Sequence, residues 1–219
     1  MSINQKPFFC SWSGGKDSCL AYYRAVKEGG LPHYLLTMME DATRSKSHYL
    51  PINLLEKQAA AMGVPLISRS AAWQEYEAVF LSVLQEFRSE GIQAGVFGDI
   101  DLEGHKEWVE KVCAQTNLIA CEPLWQRARK DLLQEFINEG FKSVIVAVKE
   151  GVFDKNILGE PLNWELIKYF EEIGIDPSGE EGEYHTVVID GPIFSSELKI
   201  VLKEQIYNAG YWFQDITVL

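Results

Sequence analysis

Paired cysteines, a membrane-length apolar run and an excess of positive charge are all missing from this chain. Its four cysteines, Cys10, Cys19, Cys113 and Cys121, form no C-x-x-C pair and no metal-ligand spacing with the four histidines. That excludes a disulfide framework and a recognisable zinc site, and it points to a reduced, cytoplasmic setting. No stretch approaches the length of a bilayer span, and the opening residues lack the basic and apolar segments of a secretory signal, so no membrane partner is expected. Basic residues number 20 against 32 acidic ones, a net charge of −12. Such a surface repels phosphate backbones, so broad nucleic-acid binding is not expected. The 219 residues suffice for one large domain or two small ones with a substantial core.

What is present is an alternation of short apolar runs and helical stripes. Residues 7–12 read as a buried strand that runs into a Ser/Gly turn. Cys19, Leu20, Tyr22, Tyr23 and Val26 then recur at helical spacing up to Gly29-Gly30. Strands follow at 33–39, from 65, at 94–97 and at 117–121. Helices lie between them at 54–62, along the stripe Tyr76, Val79, Phe80, Val83, Leu84 and Phe87, and around Trp108, Val109, Val112 and Cys113. This order predicts an α/β fold, a Rossmann-like parallel sheet with helices on both faces. Beyond it come a helix at 132–137, a strand at 144–148, a helix at 166–173, and strands at 184–189, 198–202 and 212–218. They predict a smaller C-terminal α+β domain, with the chain divided into 1–122 and 123–219.

Ligands of parallel sheets bind beyond the carboxyl ends of the strands. Two segments fall there, Ser13-Gly14-Gly15-Lys16-Asp17-Ser18 and Gly98-Asp99-Ile100. Glycines let a backbone approach an anion closely, and the N–H groups and dipole of a following helix favour negative charge. Lys16 adds a mobile cation, and Ser13 and Ser18 add hydroxyl donors. Asp17 suits such a place only if it helps to hold a magnesium ion or caps the helix. The loop is not a Walker A motif, because Cys10 and Asp17 stand where that motif needs Gly and Ser or Thr.

The hexapeptide resembles the PP-loop of the N-type ATP pyrophosphatases. Further segments resemble the diphthine–ammonia ligase family: Gly98-Asp99-Ile100 with His105 and Trp108, Pro123-Leu124-Trp125, and Gly179-Glu180-Glu181-Gly182-Glu183-Tyr184-His185-Thr186 followed by Asp190-Gly191-Pro192. Their order and spacing match from about residue 7 to 194; Glu181 departs from the Asn that many members carry. The resemblance implies an adenine nucleotide α-hydrolase-like fold and an enzyme that amidates a carboxylate with ammonium, giving AMP and pyrophosphate. ATP and Mg2+ are the implied cofactors, and elongation factor 2 is the implied protein substrate. ATP is expected at Ser13, Gly14, Gly15, Lys16, Asp17, Ser18 and Gly98, with Thr37 and Met38 beside adenine and His48 near the nucleotide. Lys16, Asp17 and Asp99 are the expected catalytic residues, Asp99 also as metal ligand. Trp125, Glu180, Glu183, His185 and Thr186 are expected on the substrate side.

Each assignment has a plainer competitor. His48 sits in a polar stretch that suits an inert surface histidine, and His105 opens a helix. Trp108 suits the core. Cys10, Cys19 and Cys113 fall on apolar faces and read as small hydrophobes; Cys121, at a strand end, is the one placed to reach a ligand. The competing functions are a PP-loop enzyme acting on another small carboxylate or an RNA base, and a nucleotide-binding regulator without turnover. A homo-oligomer is left open.

Overall fold

The computed structural model of the protein describes residues 3–219. Its elements in chain order begin with β1 (Pro7–Ser11), α1 (Lys16–Lys27), β2 (Leu31–Met39), α2 (Ile52–Met62), β3 (Leu66–Ser70), α3 (Tyr76–Ser89), β4 (Ala94–Val96), α4 (Glu103–Gln115) and β5 (Ile119–Cys121). They continue with α5 (Arg129–Asn138), β6 (Lys142–Lys149), α6 (Trp164–Glu172), β7 (Tyr184–Asp190), β8 (Ile200–Asn208) and β9 (Tyr211–Val218). Two compact units result. The first holds residues up to 13 with 17–46 and 63–126, and the second holds residues 14–16, 47–62 and 127–219. No helix of the described residues is long and apolar enough to cross a membrane.

The first unit is a five-stranded sheet in the order β3-β2-β1-β4-β5, with every pairing parallel. Phe8, Phe9 and Cys10 of β1 are all fully buried. A strand covered on both faces reads as an unbroken apolar run, which is why β1 shows no alternation. The stripe of α3 delivers Phe80, Val83, Leu84 and Phe87 to the core. There Phe9 packs on Phe87 at 5.2 Å and edge-on to Phe97 at 5.8 Å between ring centroids. Trp108 completes this wall, its ring 5.0 Å from that of Phe80 and its Nε1–H donated to Glu77 over 2.9 Å. It is a packing residue.

Strand order runs outward in both directions from the β1–β4 pair, so the chain leaves these neighbouring strands along diverging paths. Ligands of such sheets bind at this switch point, beyond the carboxyl ends of the strands. Ser13, Asp17 and Ser18 follow β1, and Gly98 and Asp99 follow β4. The approach is close: a Cβ on Gly98 would lie 2.8 Å from the Asp17 carbonyl carbon and 2.9 Å from the Ser18 nitrogen. Glycine at 98 lets the exit of β4 meet the start of α1.

The second unit is an antiparallel sheet in the order β7-β6-β9-β8. Its centre is β6, whose six inner residues, Ser143 to Val148, are all buried. Ile145 and Val148 pack with Phe153, Phe170 and Tyr184 in the core. Asn163 starts α6 by accepting the Leu166 N–H at 2.9 Å. The last-but-one strand departs furthest from its expected end. Apolar character predicts an end near residue 202, yet β8 continues to Asn208. As an edge strand exposed along most of its length, it tolerates Lys203, Glu204 and Gln205, and its pairing with β9 carries it onward.

Candidate active site

Within the first unit the strand exits are tied together by hydrogen bonds. Trp12 donates its N–H to the Leu36 carbonyl at 2.8 Å, and buried Thr37 donates its hydroxyl to the Trp12 carbonyl at 2.6 Å. Met38 packs into the core. Thr37 and Met38 therefore shape the end of β2, next to β1. Ser13 and Ser18 face each other across the loop, their hydroxyl oxygens 3.0 Å apart.

Negative charge gathers at the exit of β4. Asp99 accepts from exposed His105 Nδ1 at 3.1 Å. Burial raises the Asp99 carboxyl above its usual range and the Asp17 charge adds to this, while His105 opposes it. Glu122, just after β5, is pushed up to about 7, chiefly by burial and then by the charges of Asp99 and Glu110. Its Oε1 is buried without a hydrogen-bond partner. Nearby in sequence, Trp125 carries the Lys106 ammonium over its ring, 4.6 Å from the centroid. No group of three or more His, Cys, Asp or Glu among the described residues encloses a metal position. The donor set instead fits magnesium's habit of taking one or two carboxylates and completing its shell with phosphate oxygens and water. Asp17 and Asp99 offer two carboxylates close enough for the charge of one to act on the other.

Within the second unit the loop glycines are held without slack. Gly14 has φ +81°, and a Cβ there would lie 2.8 Å from Leu55 Cδ2 and 2.9 Å from both Gln58 Oε1 and Leu50 Cδ1. Both the dihedral and the space demand glycine. Its carbonyl accepts the Val188 N–H at 2.9 Å and the Gln58 side-chain amide at 3.0 Å. Gln58, fully buried on α2, donates also to the Val188 carbonyl at 2.7 Å. A Cβ on Gly15 would lie 2.3 Å from His48 Cε1.

Lys16 donates its backbone N–H to Thr186 Oγ1 at 3.1 Å. Its Nζ lies 3.8 Å from Glu180 Oε1 and 5.6 Å from the centroid of the Tyr184 ring. His48 Nδ1 is 3.0 Å from the Thr186 carbonyl. A carbonyl only accepts, so Nδ1 carries the hydrogen and Nε2 presents a lone pair. Burial pushes the imidazole down to about 4 and the Lys16 charge acts in the same direction, so the ring is neutral at physiological pH. It stacks on His185 with centroids 4.6 Å apart. Glu183 accepts from the Glu181 N–H at 3.0 Å.

The structure thus gathers Gly14, Gly15, Lys16, His48, Glu180, His185 and Thr186 in the second unit, and Ser13, Asp17, Ser18, Gly98 and Asp99 in the first. Two contributors escape sequence reasoning. Gln58 leaves a trace, an amide on the buried face of an apolar helix. Glu122 leaves none, being one acid between Cys121 and Pro123. The cysteines are all free and buried. Burial pushes the Cys121 thiol up to about 11 and the Cys113 thiol up to about 12. Thiolate chemistry at neutral pH is disfavoured at both.

Comparison with known proteins bears on both units. A family model described as the diphthamide synthase N-terminal domain matches residues 8–119, and one described as the diphthamide synthase C-terminal domain matches residues 128–218. The chain is similar to a diphthine–ammonia ligase of Rattus norvegicus, 27% identical over 94% of this chain and 87% of the relative. It is similar to that of Homo sapiens at 26% with the same coverage. A diphthine–ammonia ligase of Schizosaccharomyces pombe is 29% identical over 47% of this chain and 17% of its own length. Among solved structures, a predicted subunit of tRNA methyltransferase from Methanocaldococcus jannaschii aligns with a TM-score of 0.48 at 18% identity, covering 85% of this chain and 98% of that one.

Proposed function

This chain belongs to the diphthamide synthase family, and from that membership we propose that it is an ATP-dependent ligase that amidates a carboxylate with ammonium, releasing AMP and pyrophosphate. The acceptor in this reading is diphthine on elongation factor 2. One observation carries it: Gly14 and Gly15 admit no side chain, and Lys16 stands beside them. That combination lets backbone and cation approach an anion together.

In the proposed reaction a carboxylate oxygen of the acceptor bonds to the α-phosphorus of ATP. The bond to the β-phosphate oxygen breaks, and pyrophosphate departs. Ammonium loses a proton, its nitrogen bonds to the acyl carbon, AMP departs, and the new amide sheds a second proton. Lys16 and the loop amides stabilise the charge developing on the phosphates, a preorganised electrostatic contribution. Magnesium, when bound, would neutralise phosphate charge, with Asp17 and Asp99 as its protein ligands. Trp125 already faces a cation, Lys106, which supports this indole as a contact for the trimethylammonium group of diphthine.

The test is a product assay with ATP, magnesium, ammonium and diphthine-bearing elongation factor 2. AMP and pyrophosphate are the expected products, and ADP with phosphate would overturn the mechanism. Lys16→Ala is expected to lower turnover by about a hundredfold or more. Trp125→Ala is expected to raise the KM for the acceptor roughly tenfold with little change for ATP. A protein indifferent to the elongation factor would remove the acceptor assignment alone.

A further inference from the structure

Lys16 and Glu180 form an ion pair between residues that the two proposed substrates need separately. Their side chains are 7% and 12% exposed, so both charges are largely withdrawn from water. Such a pair is tolerated because each charge compensates the other, and removal of one leaves the other at high cost. The backbone N–H of Lys16 is engaged in the same direction, by Thr186 Oγ1. The backbone N–H and the ammonium of Lys16 thus each lie against an oxygen of the segment running from Glu180 to Thr186. A phosphate oxygen arriving in the loop competes for these same donors.

Glu180 is poorly placed to follow the lysine. The turn before it is anchored by Asp176, which accepts from Arg129 at 2.6 Å, from the Ser178 hydroxyl at 2.6 Å and from the Glu180 N–H itself at 3.4 Å. Past it, the Gly182 carbonyl accepts the Tyr211 hydroxyl at 2.8 Å. When phosphate draws the Lys16 charge towards itself, the Glu180 carboxylate stays where it is with weakened compensation. A small monovalent cation with N–H donors restores the compensating charge and can donate hydrogen bonds to the carboxylate. Ammonium has both properties.

We infer that ATP creates the ammonium site: Glu180 passes from Lys16 to the ammonium nucleophile as Lys16 turns to the phosphates. This rests on the reading of the loop as the ATP phosphate site. It makes binding ordered, and by linkage each ligand tightens the other by the same factor.

The test is calorimetric titration of the full chain with magnesium and α,β-methylene-ATP, at constant ionic strength, in ammonium, potassium or tetramethylammonium chloride. Ammonium is expected to tighten binding of the analogue about tenfold over tetramethylammonium, within the usual span of coupling between sites. Glu180→Gln is expected to erase that dependence and to bind the analogue at least as tightly without ammonium, since its Lys16 is no longer neutralised. Affinity in the wild-type protein that ignores ammonium overturns the inference, as does an ammonium effect retained in Glu180→Gln. An equal gain in potassium overturns ammonium as the ligand. These outcomes leave the ATP reading standing. A wild-type chain that fails to bind the analogue at all removes both.

Discussion

Glu122 shows what a single carboxyl can contribute to the pH response of this protein. Its folded pKa of about 7 lies above the ordinary value of 4.5, so the folded chain binds the proton more tightly than the unfolded one. The associated stability is complete below about pH 4.5 and is lost as pH rises through about 7. Glu122→Gln mimics the protonated acid without its charge. It is expected to raise the Tm by about 2–4 °C at pH 8.5 and to leave it nearly unchanged at pH 5, corresponding to about 1 kcal/mol after allowance for partial solvent screening. Thermal melts at the two pH values decide it, and a shift of equal size at both would rule out the carboxyl as the cause. Legibility at this scale followed adjacency. The loop residues are consecutive, so Ser13 to Ser18 announce themselves, and Asp99 stands at a strand end where ligands gather. Glu122 owes its character first to burial and then to the charges of Asp99 and Glu110, and neither is written in local sequence.

Elements were more legible than sites, because periodicity reports burial directly. The stripe on α3 and the apolar run of β6 mark core faces that the fold uses as read. The extent of β8 was hidden, since an edge strand is held by backbone pairing and needs no apolar alternation. The role of α2 was hidden too: Gln58 on its buried face joins the Gly14 and Val188 carbonyls. Gln58→Leu keeps the bulk and deletes both donors. Gly14 retains the Val188 N–H, but the Val188 carbonyl loses the amide. The expected cost is about 1–3 kcal/mol in stability. The KM for ATP is expected to rise more than that for the acceptor, because the damage falls on the loop. Denaturant titration with steady-state kinetics tests this, and unchanged values in both would separate α2 from the loop.

At the scale of the whole molecule, the second unit is assembled from three stretches of chain, residues 14–16, 47–62 and 127–219. Sequence order does not say which sheet α2 serves, because Leu54, Leu55 and Ala59 make the same kind of apolar face that any sheet-flanking helix presents. A fragment of residues 127–219 lacks this helix and is expected to show no cooperative thermal transition by circular dichroism. A fragment that melts as sharply as the full chain would show the other two stretches to be dispensable. The same discontinuity matters while the protein is being made. At about 5–20 residues per second, roughly 10–30 s pass on the ribosome between Met62 and Val218. For that interval Leu54 and Leu55, fully buried in the finished fold, wait for the strands of their own unit. The exposure of the nascent chain to aggregation is therefore governed by the pace of translation, before the stability of the native state has any bearing on it.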